Sequence, residues 1–354
     1  MELWQWIVSG HVDLSKIKDL VMNIKRSILL VLLLLSLVTA GRHFHRLFWA
    51  TNITLNEAKV DVFVGSDPDF EAVLTAVAPY ITRISDFKLV AKIKRLDEFP
   101  RAGRFVFEQG MDNRAIVDLL RSGNEPIRLK FNNQERLEDL AGTLARQIEP
   151  DSLSLLEAFR DPEFLQEAQV TEEQVLSLFI PNTYEIYWNT DEDRFRKRML
   201  GEYQAFWNKN RLKKAKAIGL SPLEVSALAA VVQKESVKVS ERPTIAGVYL
   251  NRLKRNIPLQ ADPTVIFAKK LLDEDFQQVI RRVLYKDLAL DSPYNTYKYS
   301  GLPPGPITMP DISSIDAVLN AESHGYYYFV ADPERPGYRS EEHTSELQSP
   351  DHLV

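Results

Sequence analysis

The chain has 354 residues, 45% of them apolar, and a formal net charge of -5. That is enough for two folded domains beyond a targeting segment. With no run of Lys/Arg interleaved with aromatics, nucleic acid is not an expected partner. Cysteine is absent and the six His are scattered without metal-ligand spacing, so disulfide and thiolate chemistry are excluded and no metal or cofactor is expected.

In chain order, residues 1–26 mix Trp4, Trp6 and Ile7 with a polar, Lys-containing segment that ends in Lys25-Arg26. The apolar run Ser27–Gly41 comes next, bounded by Arg42. This run is shorter than the roughly 20 residues that span a bilayer and nearer to a signal-peptide core. Both readings export the remainder of the chain, and a retained anchor over 27–48 is favoured. Arg26 and Arg42 can snorkel, Phe44, Phe48 and Trp49 can form an interfacial belt, and the cations before the run place the N-terminus in the cytoplasm.

Between Thr51 and Phe131 short strand-like runs alternate with amphipathic helices. Strands are expected at Lys59–Val64, Lys88–Lys94, Arg104–Phe107 and Ile127–Phe131, the last closing the segment. Helices are expected over Phe70–Ser85 and from the Asp112 cap to Gly123. This reads as a small α+β domain with no catalytic constellation. A helical region comes next, broken at Asp161-Pro162 and Ile180-Pro181, and 191–217 reads as one long amphipathic helix.

Ser221–Ser236 carries a helix with a built-in start. Ser221 caps it, Pro222 suits its first position, and Glu224 completes a capping box. Leu228, Val231, Val232 and Glu235 share one face, so a carboxylate continues an apolar stripe. Burial and a helix C-terminus both disfavour its charged form, which suits a general acid. A structural alternative is pairing with Lys238 or Arg242. A further helix begins at Pro243, and 271–290 reads as surface helix. Leu259–Ile266 reads as a loop with convergent polar groups leading into an apolar run. In the Pro/Gly-rich loop Asp291–Ile307, Tyr294, Asn295, Thr296 and Tyr297 present rings, amides and hydroxyls that suit a sugar; a turn-rich connector is the alternative.

The ordered segments Val232-Gln-Lys-Glu235-Ser, Ser240-Glu-Arg, Val248-Tyr-Leu-Asn-Arg-Leu253, Leu259-Gln-Ala-Asp-Pro-Thr-Val265, Ser292-Pro-Tyr-Asn-Thr-Tyr297 and Gly301-Leu-Pro-Pro-Gly-Pro-Ile307 resemble the YceG-like (MltG) family of endolytic murein transglycosylases. The resemblance extends to Phe179-Ile-Pro-Asn-Thr-Tyr184 and Tyr327-Tyr-Phe-Val-Ala331. It implies an α+β chain with a cytoplasmic segment (1–26), a membrane anchor helix (27–48), a small LysM-like α+β domain (55–131) and a mixed α+β YceG-like catalytic domain (135–338) in the periplasm, held at the inner membrane by a single pass. It implies Glu235 as the catalytic acid/base and places Gln260, Asp262, Thr264, Tyr294, Asn295 and Thr296 along a glycan cleft. Gln233 stands where the family has Glu.

The implied substrate is peptidoglycan, cut between MurNAc and GlcNAc in nascent strands with 1,6-anhydro ends. Peptidoglycan synthases are partners through the family alone. A non-catalytic wall-binding scaffold and a muramidase-type hydrolase stay open as alternatives, and Asp262 is the residue that would make hydrolysis credible. Beyond Tyr338 the chain resembles the translation of a sequencing adapter. Residues 339–354 are therefore expected to be an artefactual tail on a truncated gene, and His343 and His352 to be without function.

Overall fold

The structure, a computed structural model, describes residues 14–331 and 339–341. The chain divides into two units, residues 1–125 and 126–354. The expected tail falls outside the described residues from 342 onward, as do residues 1–13 of the N-terminal segment.

The first unit begins with α1 (Leu14–Trp49), which carries the apolar run well beyond its two bounding arginines in both directions. Its side chains from Ser15 to Arg46 are exposed on every face, with Leu29 at 70%. Among the described residues it is the one unbroken helix long and apolar enough to cross a membrane, and an all-round apolar surface suits lipid better than a protein core. Its last turn is built into the unit: Leu47 is buried, and its carbonyl accepts a hydrogen bond from Asn113 Nδ2 at 2.8 Å.

Next come β1 (Lys59–Val64), α2 (Phe70–Val77), α3 (Ile84–Ile93), β2 (Gly103–Glu108) and α4 (Asn113–Ser122). The two strands pair antiparallel, with Val62 opposite Phe105. Asp69 and Asp112 cap α2 and α4 by accepting from Ala72 N and Ala115 N. Two expectations are corrected. The helix expected over Phe70–Ser85 ends at Val77, because Pro79 lacks the amide that would continue it. Lys88–Lys94 is not a strand: residues 88–93 lie within α3 and Lys94 is its C-cap. Phe87, Val90 and Ala91 are buried together at helical spacing, while the alternation of Lys88, Lys92 and Lys94 with apolar residues fits a strand equally well over so short a window.

The second unit opens with β3 (Pro126–Phe131). It does not close the first segment; it pairs antiparallel with β4 (Asn182–Tyr187), setting Leu129 opposite Tyr184. Between them run α5 (Leu137–Ala145), α6 (Ser152–Arg160), α7 (Pro162–Ala168) and a 3-10 turn at Val175–Leu178. Phe131 stacks on Tyr184, and Phe159 packs on Phe179 and Phe195, forming one core.

The single helix expected over 191–217 is two, α8 (Glu192–Phe206) and α9 (Lys209–Ile218). Trp207 is buried at the break, and Asn208 restarts the helix by accepting from Asn210 N and Arg211 N. Gly219 closes α9 with φ +80, a left-handed conformation that glycine adopts without strain.

The second core surrounds α10 (Pro222–Glu235). The Ser221–Glu224 capping box forms as expected, with both reciprocal hydrogen bonds present. Val225 through Val232 are all buried, so α10 is a central helix instead of a one-faced one. It is covered by α11 (Arg242–Lys254), α12 (Asp262–Leu272) and α13 (Ile312–Leu319). The expected surface helix over 271–290 is absent beyond the end of α12. Glu274 takes φ +52, Asp275 Oδ1 accepts from Gln277 N and Gln278 N, and one 3-10 turn forms at Asp287–Ala289. Side-chain caps of this kind compete with helix for the same backbone donors. Finally β5 (Phe329–Ala331) pairs antiparallel with β6 (Arg339–Glu341).

Candidate functional site

Glu235 is the last residue of α10, half-buried where the continuous apolar stretch of that helix reaches the surface. Tyr249, on α11 and 2% exposed, donates a hydrogen bond to Glu235 Oε1 at 3.0 Å. The Tyr249 ring lies edge-on to Phe329 at 5.8 Å and is buried in the core around α10, which fixes where its hydroxyl points.

The turn after Glu235 is pinned. Ser236 Oγ donates to Glu241 Oε2 (2.7 Å) and accepts from Lys238 N. Arg242, 5% exposed, forms an ion pair with Asp311 (2.9 Å) and donates to the Ser313 and Ser314 hydroxyls and to the Ser236 carbonyl. Arg242 is thus committed to Asp311. Burial pushes the Asp311 carboxyl up, but hydrogen bonds from Ser313, Ser314 and Arg242 outweigh it and hold the group below the usual carboxylate range. Gln233 also faces this cluster, accepting from Asp311 N (2.7 Å) and Ser314 Oγ (3.0 Å). The Gln233 amide therefore serves the α13 cap, on a different flank of α10 from Glu235.

The two polar loops are locked together. Thr264 and Thr296 are buried with their hydroxyls 2.8 Å apart. Thr264 gives its only proton to the Ala261 carbonyl (2.7 Å), so Thr296 must donate to Thr264 while accepting from Ala261 N. Asn295, fully buried, donates to the Leu288 and Leu290 carbonyls and accepts from Tyr297 N. Tyr294 packs against Phe267 at 4.7 Å, and burial pushes its phenol up to about 12. These four expected glycan-lining side chains are turned inward and spent on holding the loops.

Gln260 and Asp262 are the two exposed members of the expected set. Gln260, at φ +49, donates its backbone N–H to the Thr296 carbonyl at 3.0 Å. Tyr297 Oη donates to Asp262 Oδ1 at 2.6 Å. Burial first, and then Asp262 as acceptor and as charge, push the Tyr297 phenol well above its ordinary value, with the Glu235 charge adding to the effect. Tyr297 is therefore a proton donor throughout the neutral range.

Beneath both loops lies Arg252, 6% exposed. It donates to the Tyr327, Leu259 and Pro258 carbonyls and to Gln260 Oε1, and its guanidinium lies 4.7 Å over the Tyr328 ring. Burial pulls its pKa down, and the nearby phenols and Glu235 oppose this. The Glu235 charge is felt at both Tyr297 and Arg252, which brings α10, α11 and the two loops into one neighbourhood.

Tyr249 and Arg252 are functional candidates that the sequence does not single out, whereas Tyr297 is among the rings and hydroxyls expected to suit a sugar. Each sits in a segment with motif character, but its role depends on a partner far along the chain. Chemically, the site offers one half-buried carboxyl bonded by a phenol at the end of α10, and on the Gln260–Asp262 loop a second carboxyl that is itself held by a phenol. Among the described residues no cluster of three or more His, Asp or Glu could hold a metal ion.

A family model described as the YceG-like family matches residues 67–349. The chain is 30% identical over 264 residues to the endolytic murein transglycosylase of Bacillus subtilis, covering 69% of this chain and 70% of that protein. It is 26% identical over 347 residues to the endolytic murein transglycosylase of Streptococcus pneumoniae serotype 2, covering 88% of this chain but 62% of that protein, so it spans less than two thirds of that relative's length. Among solved structures it is similar to a YceG-like protein of Listeria monocytogenes, with a TM-score of 0.54 and 26% identity over 82% of this chain and 97% of that one.

Proposed function

The chain belongs to the YceG-like family, and on that premise we propose that it is an endolytic murein transglycosylase that cuts nascent peptidoglycan strands. The observation that carries this reading is the Glu235–Tyr249 pair at the open end of a buried helix, beside the Gln260–Asp262 and Tyr297 loops.

Glu235 acts alone as acid and base. Its proton passes to the glycosidic oxygen as the bond between that oxygen and the anomeric carbon of MurNAc breaks. The 6-hydroxyl oxygen of the same MurNAc then bonds to the anomeric carbon, and its proton returns to the Glu235 carboxylate. The products are a free GlcNAc end and a 1,6-anhydro-MurNAc end, with no water consumed. Gln260, Asp262 and Tyr297 meet the substrate, whereas Thr264, Tyr294, Asn295 and Thr296 act on it by positioning these loops. Asp262, its lone pairs shared with the Tyr297 hydroxyl, orients a substrate amide.

Helix α1 holds the chain in the inner membrane as a single pass, with the catalytic unit periplasmic. The antiparallel β1–β2 pair with its two intervening helices supports a LysM-like, glycan-holding reading of residues 55–131. Synthases remain partners through the family alone.

The experiment is digestion of purified murein by the wild-type chain and by Glu235→Gln, with products identified by mass spectrometry. Anhydro ends that vanish in the variant are expected. Reducing ends in place of anhydro ends would instead establish muramidase-type hydrolysis, and glycan binding without cleavage would establish a scaffold.

A further inference from the structure

On another flank of α10, away from Tyr249, a cavity of about 740 Å³ opens between the end of that helix and α5. Gln233, Lys234 and Val237 reach into it, whereas Glu235 is turned to Tyr249. Its lining combines four carboxylates, three cations and four side-chain amides, and among the described residues no aromatic ring. Without a flat apolar face it is poorly suited to a sugar ring. Mixed charge and paired amide donors and acceptors suit a peptide that carries both a free carboxylate and a free amine.

Most of the cavity's charges are already neutralised. Lys234 and Lys270 both donate to Glu135, at 2.6 and 2.9 Å, and Arg242 holds Asp311. Arg146 differs. It is exposed at the C-cap of α5 and donates to the Thr143 hydroxyl at 3.2 Å, and among the described residues no carboxylate lies within ion-pair distance of it. On the same helix, Glu138 and Asp139 pair with Arg160 and Arg136, each at 2.7 Å, yet keep 40% and 28% of their side chains exposed, so each retains lone pairs toward solvent.

We propose that this cavity receives the stem peptide carried by the muramyl residue being cut, with Arg146 taking the peptide's terminal carboxylate and the Glu138–Asp139 edge its free amine. The inference rests on the reading of Glu235 as the glycan-cutting group. A helix with its side chains is about 10–12 Å across, and an extended peptide advances about 3.3–3.6 Å per residue. A stem of roughly three to four residues therefore reaches from a sugar at Glu235 around the end of α10 into the cavity. The enzyme then selects strands that still bear their peptides.

The test compares peptide-bearing murein strands with the same strands stripped by an amidase, using the full chain and Arg146→Ala, Arg146→Lys and Gln277→Ala. In parallel, binding of the stem peptides released by that amidase is measured by calorimetry. For wild type, kcat/KM is expected to favour peptide-bearing strands by about tenfold, the worth of one charge-assisted contact. Arg146→Ala brings that ratio toward one and weakens stem-peptide binding by a similar factor, and Arg146→Lys restores part of both. Equal wild-type rates on the two substrates, equal losses on both in every variant, or peptide binding indifferent to Arg146→Ala would overturn the proposal. If neither substrate is cut by wild type, the glycan-cutting reading fails by itself, and the calorimetry alone decides whether the cavity holds peptide.

Discussion

Tyr249 Oη and Glu235 Oε1 lie 3.0 Å apart, a hydrogen bond that joins the middle of α11 to the last residue of α10. The phenol holds one oxygen of the carboxylate in place from a ring that is itself packed in the core. Tyr249→Phe removes that hold while keeping the ring. The rate at the optimum should fall about tenfold through loss of orientation, with KM little changed. A kcat indistinguishable from wild type would separate Tyr249 from the chemistry.

Arg252 is a buried cation whose charge is spread over three carbonyls and the Gln260 amide. Lysine cannot reproduce that fork, and methionine leaves the carbonyls without donors. Arg252→Met should cost about 2–4 kcal/mol of stability. Arg252→Lys should cost less but raise KM, because the Leu259–Gln260 backbone loses its fixed position. Urea denaturation and steady-state kinetics on the two variants check this; an unchanged KM in Arg252→Lys would argue against the loop-positioning role.

Gly305 stands in the Pro/Gly loop, where an added Cβ would lie 1.9 Å from the Glu173 carbonyl oxygen and 2.6 Å from its carbon. Both are backbone atoms, so relief requires one segment to move. Gly305→Ala should lose about 1–3 kcal/mol and lower the thermal midpoint, even though Gly305 touches none of the proposed chemistry.

Glu135 sets an acid-side limit. Burial pushes its carboxyl up, but hydrogen bonds from Lys234 and Lys270 outweigh this and hold it below its ordinary value. The native state therefore binds fewer protons there than the unfolded chain does. The stability this contributes is fully present above the unfolded value of about 4.3 and is lost as pH falls through the lower native value. Asp311 acts in the same direction. Glu135→Gln should flatten the fall in stability below about pH 4.3 while lowering stability at pH 7. Equal acid sensitivity in wild type and variant would assign that fall to other carboxylates.

What could be read from the sequence alone was what neighbouring residues decide between themselves. The Ser221–Glu224 capping box, the end of α9 at Gly219, the apolar N-terminal helix and the ordered motifs around Glu235 were all legible, because caps and periodicity act within one or two helical turns. Lys88–Lys94 was not, since seven residues fit two periods and only the burial of Phe87 and Val90 selects the helix. The β3–β4 pairing, the Tyr249–Glu235 bond, the inward turn of Thr264, Asn295 and Thr296, and the hold of Arg252 on two distant loops were decided by tertiary structure. Each depends on groups distant in sequence meeting in a packed core, where a buried polar atom must find a partner and the packing determines which one it finds.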